Sequence, residues 1–116
     1  MSDALTQSIT IATTPEALWT LLTTVDEIPG WYEGWDVVER DSSVDSLKID
    51  ARFRLTRDNG KQEVTCHVVE VDAPRRLSWN EYSDKGSAVR VSFVLEPDGA
   101  ANIILTHSKK IVAAIG

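Results

Sequence analysis

Along residues 47–56 the apolar positions Leu47, Ile49, Ala51, Phe53 and Leu55 alternate with Lys48, Asp50, Arg52, Arg54 and Thr56. A period of two places the first set on one face of a strand and the second on the other, so one side is buried and one is wet. The alternation recurs downstream, where Val89, Val91, Phe93 and Leu95 share one face and Ile103, Leu105 and His107 share another. Between these segments, Gln62 to Asp72 loses its alternation at Val68-Val69, which predicts a bulge and a bend. Ala73-Pro74 ends that strand, and Arg76 to Tyr82 makes the next. Upstream, Leu5, Gln7, Ile9 and Ile11 give a first strand with one apolar edge, and Trp35 to Arg40 gives another.

The punctuation agrees with this meander. Asp58-Asn59-Gly60-Lys61 carries an Asn-Gly pair, the chemistry of a two-residue hairpin turn in which both central residues need positive φ. Asp84-Lys85-Gly86-Ser87 and Pro97-Asp98-Gly99-Ala100 are predicted as further hairpin turns. A helix is predicted to start at Thr13-Thr14-Pro15-Glu16, with Thr14 as the cap and Pro15 in the first turn. Leu18, Leu21, Leu22 and Val25 follow at helical spacing as an inward stripe, flanked by Trp19. Asp26-Glu27-Ile28-Pro29-Gly30 is expected to stop the helix, leaving Trp31 to Trp35 as a short helical turn or loop. The resulting fold class is α+β: a curved antiparallel sheet of about six to seven strands with one or two short N-terminal helices at one side.

Composition narrows the partners. A chain of 116 residues is one domain, 1–116, and burial of roughly two thirds of its unfolded surface is expected at this size. A net charge of −6 disfavours nucleic acid and anionic lipid. Arg52, Arg54 and Arg57, and the pair Arg75-Arg76, read as solvated faces. The single cysteine forms no internal disulfide, Met1 to Ala4 lack signal-peptide character, and no segment approaches about 18 apolar residues. The expected location is cytoplasmic, with no membrane partner.

The chemistry available is sparse. Cys66 and His67 are adjacent on a strand and leave opposite faces, so they form no thiol–imidazole pair. No metal-ligand spacing and no glycine-rich phosphate loop occurs, so no cofactor or metal is expected. Trp31, Tyr32, Trp35 and Trp79 suit either plain core or the wall of an apolar pocket. Trp31 and Trp35 are the stronger pocket residues, because glycines at 30 and 34 are expected to break the helix and free a lid. Glu81 shares a face with Leu77 and Trp79. In an apolar hollow its carboxyl would serve as a general acid or base, whereas near the turn at Asp84-Lys85 it would be a solvated rim residue. His107, toward the end of its strand, is either a proton carrier and hydrogen-bond donor or a surface histidine.

Pro15-Glu16-Ala17-Leu18-Trp19, Val69 to Leu77 with Trp79, Phe93-Val94-Leu95-Glu96-Pro97 and Leu105-Thr106-His107-Ser108 together resemble the START/birch-pollen-allergen superfamily (SRPBCC, the helix-grip fold). The likeness is greatest to the branch of heat-shock ATPase activator-like and polyketide cyclase-like proteins. It implies a bent sheet wrapped round a long C-terminal helix with an apolar cavity between them. Here nine residues, Ser108 to Gly116, follow the last predicted strand, so the closing helix is expected to be truncated or absent. Ile111 to Ile115 are nonetheless too apolar to trail in water. The hollow face is expected to be covered by a second copy in a homodimer, or the chain is cut short of its helix.

The expected function is binding of a small hydrophobic or aromatic ligand in a pocket lined by Trp31, Trp35, Phe53, Cys66, Trp79, Phe93 and Leu105, with Glu81 and His107 as polar contacts. The resemblance leaves two alternatives open. One is a cyclase or dehydratase in which Glu81 or His107 moves protons; the other is a protein that stimulates a chaperone ATPase through its surface. The residues themselves do not demand a reaction.

Overall fold

The computed structural model describes residues 4–32, 35–40, 46–83, 86 and 88–113. The strands are β1 (Ala4–Ile11), β2 (Val37–Arg40), β3 (Arg52–Arg57), β4 (Gln62–Asp72), β5 (Arg76–Ser83), β6 (Ala88–Asp98) and β7 (Asn102–Ala113). They form one antiparallel sheet in the order β1-β7-β6-β5-β4-β3-β2, curled into a half-barrel. Between β1 and β2 lie helix α1 (Pro15–Thr23), a 3-10 turn (Val25–Glu27) and the short helix α2 (Ile28–Trp31). The α+β class read from the alternation and the helix-grip architecture implied by the resemblance are those observed.

α1 begins as its sequence dictates. The Thr14 side chain accepts from the Ala17 N–H at 3.1 Å, and Pro15 occupies the first turn. Its end is set by threonines and not by Pro29 and Gly30. The hydroxyls of Thr20, Thr23 and Thr24 donate back to the carbonyls of Glu16, Trp19 and Thr20, a local alternative to continued helix. Thr24 then turns extended, at φ −82° and ψ 110°. The expected stop at Pro29-Gly30 is thus corrected: both lie inside α2, where Pro29 sits in a first turn that needs no N–H from it. The inward stripe is Leu18, Leu22 and Val25, whereas Leu21 is 41% exposed on its outer edge.

Two strands differ in length from their sequence patterns. The alternating run from Leu47 becomes strand only at Arg52, because the chain reverses at Asp50, whose φ is +66°. Leu47 is buried through its own N–H bond to the Thr23 carbonyl, and Ile49 is exposed. β7 does not stop at Ser108. It continues to Ala113 because β6 offers partners throughout, with Val91 opposite Lys109 and Val89 opposite Ile111. The apolar Ile111 and Val112 are therefore strand residues, both exposed.

Turn chemistry is mostly as written in the sequence. Asn59 and Gly60 have φ of +56° and +83°, and the Lys61 N–H closes the turn on the Asp58 carbonyl at 3.1 Å. The β4 register shifts between Val68 and Glu70, the predicted bulge. At the β6–β7 junction the strand runs through Pro97 to Asp98, so the reversal comes later than predicted, with Gly99 at φ +75°. Residues 84, 85 and 87 of the remaining predicted turn lie outside those described.

The core lies on the concave face. Phe53, Leu55, Cys66, Val68, Leu77, Trp79, Val91, Phe93 and Leu95 from the sheet pack with Leu18, Leu22, Val25 and Ile28 from the helical segment. Burial of this apolar set is the main favourable term in folding.

Candidate functional site

Three neighbouring strands present an aromatic surface on the concave side, and α2 lays two more rings across it. β5 contributes Trp79, β6 Phe93 and β7 His107; Phe93 and His107 are direct cross-strand partners. Their rings stack at 4.7 Å between centroids and 9° between planes. Trp31 meets Phe93 edge-on at 5.3 Å, and Tyr32 meets both Trp79 (5.8 Å) and His107 (5.9 Å) edge-on. Phe53 stands edge-on to the far side of Trp79 at 5.3 Å. Such tilted and edge-to-face pairs are favoured geometries that hold each ring in one orientation.

Glu81 lies beneath these rings. It is 7% exposed, so the rim position is corrected: its carboxylate is inside. The phenol of Tyr32 donates to Oε2 at 2.7 Å, and the indole N–H of Trp79 donates to the same oxygen at 2.9 Å. A buried carboxylate is tolerated when donors converge on it, and here they do. Burial, with Glu81 adding its charge and hydrogen bond, holds the Tyr32 phenol far above the ordinary tyrosine range, so it stays protonated as a donor. Burial and the same carboxylate push the Cys66 thiol up well beyond its usual range, against a smaller opposing pull from Lys109.

The hollow opens over Trp31, Tyr32, Phe93, Leu105 and His107, bordered by Gln7 and Ile9 of β1, with a volume of about 660 Å³. Two buried polar atoms in this wall have no hydrogen-bond partner: Trp31 Nε1 and His107 Nε2. Burial, then the neighbouring Lys109 charge, depresses the His107 pKa below the ordinary histidine value, which keeps the ring neutral near neutral pH. The Lys109 ammonium lies 4.7 Å from the centroid of the Tyr32 ring.

The structure thus brings Trp31, Phe93, Leu105 and His107 together at the hollow, with Trp79, Glu81, Cys66 and Phe53 packed beneath or beside them. Trp35 stands apart. It lies under the Arg57 guanidinium, 4.7 Å from the ring centroid, and borders a separate surface depression with Asp58 and Lys61. Glu81 and His107 sit on β5 and β7 with β6 between them, linked through Tyr32. His107 lies in mid-strand because β7 is longer than its sequence pattern implied. Gly30 lies within α2, and Gly34 falls outside the described residues, so the expected lid has no counterpart among them. Among the described residues no group of three metal-ligating side chains is close enough to hold an ion.

The sequence did not single out Gln7, Ile9 or Lys109 here. The period of two held the signal for Lys109, which follows His107 at i+2 on the same face. Tyr32 was named only as one of four aromatics suited to core or pocket, and its contact with Glu81 depends on tertiary packing.

The family described as "Polyketide cyclase / dehydrase and lipid transport" matches this chain over residues 3–109. A search of curated proteins returned no match. Among solved structures, protein MLL2253 from Mesorhizobium loti superposes with a TM-score of 0.75 at 21% identity, covering 95% of this chain and 77% of that one. The hypothetical protein jhp0584 from Helicobacter pylori gives 0.80 at 12% identity, covering 95% and 70%. An HSP90 activator, PFC0360w from Plasmodium falciparum, gives 0.72 at 14% identity, covering 98% and 76%. At these identities the likeness is one of fold. With the family matched along nearly the whole chain and the helix-grip sheet in place, the chain belongs to the polyketide cyclase/dehydrase and lipid transport family of the SRPBCC superfamily.

Proposed function

We propose that this protein binds a small hydrophobic or aromatic ligand in the hollow between α2, β1, β6 and β7. The observation that carries this reading is the pairing of an apolar aromatic wall with two buried, unpartnered ring nitrogens, on Trp31 and His107. An unmet buried donor costs about 1–3 kcal/mol, and a bound acceptor relieves that cost. A volume of about 660 Å³ also falls in the range of pockets that enclose drug-sized molecules.

A thermal-shift series with naphthalene, anthracene and steroid alcohols tests the reading. A ligand at about a hundred times its Kd adds about 2.7 kcal/mol to stability and raises Tm. Ile9→Trp, at a 59% exposed position on the border, sets a larger ring at the mouth of the hollow and is expected to reduce the rise without unfolding the chain. A rise left unchanged by Ile9→Trp argues for binding elsewhere and removes the proposal.

The hollow leaves Ile9 and Ile111 exposed, which supports the accompanying proposal that a second copy covers them. Sedimentation as a well-folded monomer removes that part alone. A proton-transfer reading draws support from His107, a neutral imidazole with a free nitrogen in the wall. Under it, His107→Gln abolishes turnover while ligand binding persists. The likeness to an HSP90 activator concerns fold and supplies no partner here.

A further inference from the structure

Lys109 stands beside this hollow, against the ring of Tyr32 that helps to line it. It follows His107 at i+2 on β7 and faces Val91 across the ladder, so it belongs to the concave side. The residue is half-buried with its ammonium over the Tyr32 ring, and among the described residues no carboxylate lies within ion-pair distance of it. Withdrawing a cation from water without a counter-ion is costly, and a ring face offsets only part of that cost. The carboxylate inside the site, Glu81, has its Oε2 occupied by Tyr32 and Trp79.

Two groups in the wall of the hollow and one beside it therefore lack an acceptor among the described residues. Lys109 supplies charge and N–H donors, Trp31 Nε1 can only donate, and neutral His107 donates from Nε2 in the appropriate tautomer. The rest of the wall is aromatic: Trp31 and Phe93 edge-to-face, with Phe93 stacked on His107. A flat ring system fits that surface, and a cationic ligand would meet the Lys109 charge head-on.

We infer that the occupant is an aromatic acid: a flat ring body bearing one anionic oxygen group, carboxylate or phenolate, directed toward Lys109, His107 and Trp31. This deepens the proposed binding function and rests on it.

Isothermal titration at low salt with three probes tests the inference: naphthoate, its neutral counterpart naphthalenemethanol, and decanoate as an acid without rings. Naphthoate is expected to bind about tenfold more tightly than naphthalenemethanol, the scale of one charge-assisted hydrogen bond. Lys109→Met keeps most of the apolar stem and is expected to bring that ratio close to one by weakening naphthoate far more than naphthalenemethanol. Trp31→Phe keeps a ring, removes the N–H and is expected to weaken naphthoate severalfold. Unfolding of either variant is read from its near-UV dichroism, and the wild-type ratio then stands as the deciding measurement. Equal affinities for naphthoate and naphthalenemethanol, or a ratio that persists in folded Lys109→Met, overturn the inference but leave hydrophobic binding intact. Tighter binding of decanoate than naphthoate overturns its aromatic half. Failure of all three probes to bind overturns the inference together with the proposed function.

Discussion

The phenol of Tyr32 reaches across 49 residues of sequence to Glu81, placing its oxygen 2.7 Å from the carboxylate Oε2. That contact pins α2 to β5 at the floor of the hollow. The Trp79 indole shares the same oxygen, so the residue that follows α2 and a strand residue are registered on one carboxylate oxygen. Tyr32→Phe removes one of two donors without opening a large cavity, and is expected to cost about 1–3 kcal/mol. Glu81→Leu strands both donors and is expected to cost at least as much. In the double variant the two losses are not additive, because each mutation removes the same interaction. Urea midpoints measure all three, and additive losses would show that the contact contributes nothing to stability.

Burial in this site also predicts how its other groups respond to reagents. The chain has two tyrosines, of which Tyr82 is 42% exposed and Tyr32 is buried against a carboxylate. Alkaline titration of the native protein is expected to leave the Tyr32 phenol protonated, its phenolate appearing only on unfolding. Cys66 has no exposed surface, and burial and Glu81 hold its thiol in the protonated form. A thiol-specific reagent is therefore expected to react with it only at the rate of opening or unfolding. Rapid labelling under native conditions would mean that β4 is accessible at this point.

Much of the architecture was legible because a half-buried antiparallel sheet writes itself as alternation. Phe53, Val91, Phe93 and Leu95 were placed correctly by period alone, and the Val68-Val69 slip located the bulge. What the period did not carry was position across the sheet. Glu81 looked like a rim residue from its nearness to a turn, yet its burial is decided by Tyr32 from a helix far away in sequence. Trp35 looked equivalent to Trp31, but Trp31 lies against Phe93 at the hollow whereas Trp35, just before β2, lies under the Arg57 guanidinium. The length of β7 was likewise set by β6 beside it and not by its own pattern. The site residues were thus mostly nameable, whereas their grouping depended on tertiary contacts.

The neutral imidazole of His107 gives stability a definite pH dependence. Its folded pKa lies below its unfolded value of about 6.5, through burial and through Lys109 on the same strand. The other groups against it are the Tyr32 ring, just beyond α2, and Gln7 opposite it on β1. In the window between the two pKa values the unfolded chain binds the extra proton, so stability falls as pH drops below about 6.5. His107→Phe keeps a ring to stack on Phe93 and has no proton to bind. It is expected to flatten the decline from about pH 7 to pH 5, measured as urea midpoints at each pH. An unchanged slope in this variant would assign the decline to carboxylates elsewhere.

The β3–β4 hairpin offers a test of how far local turn chemistry supports the site. Asn59 and Gly60 adopt φ of +56° and +83°, and the hairpin they close sets Phe53 opposite Cys66. That register puts the Phe53 ring against Trp79, the central ring of the concave face. Gly60→Ala meets no atom within 4 Å, so its cost is backbone strain and not a clash. A loss of about 1 kcal/mol is expected from the positive φ alone. Asn59→Gly removes the side chain at one of the two further positive-φ positions of this turn, Asp58 being the other, and is expected to change stability by only a few tenths of a kcal/mol. Since β3 pairs with β4 along six residues, neither change is expected to shift the register. Thermal melts give the two costs, and the near-UV signal of Trp79 reports whether Phe53 has kept its place. A stabilising Gly60→Ala would show that the turn does not hold positive φ in solution.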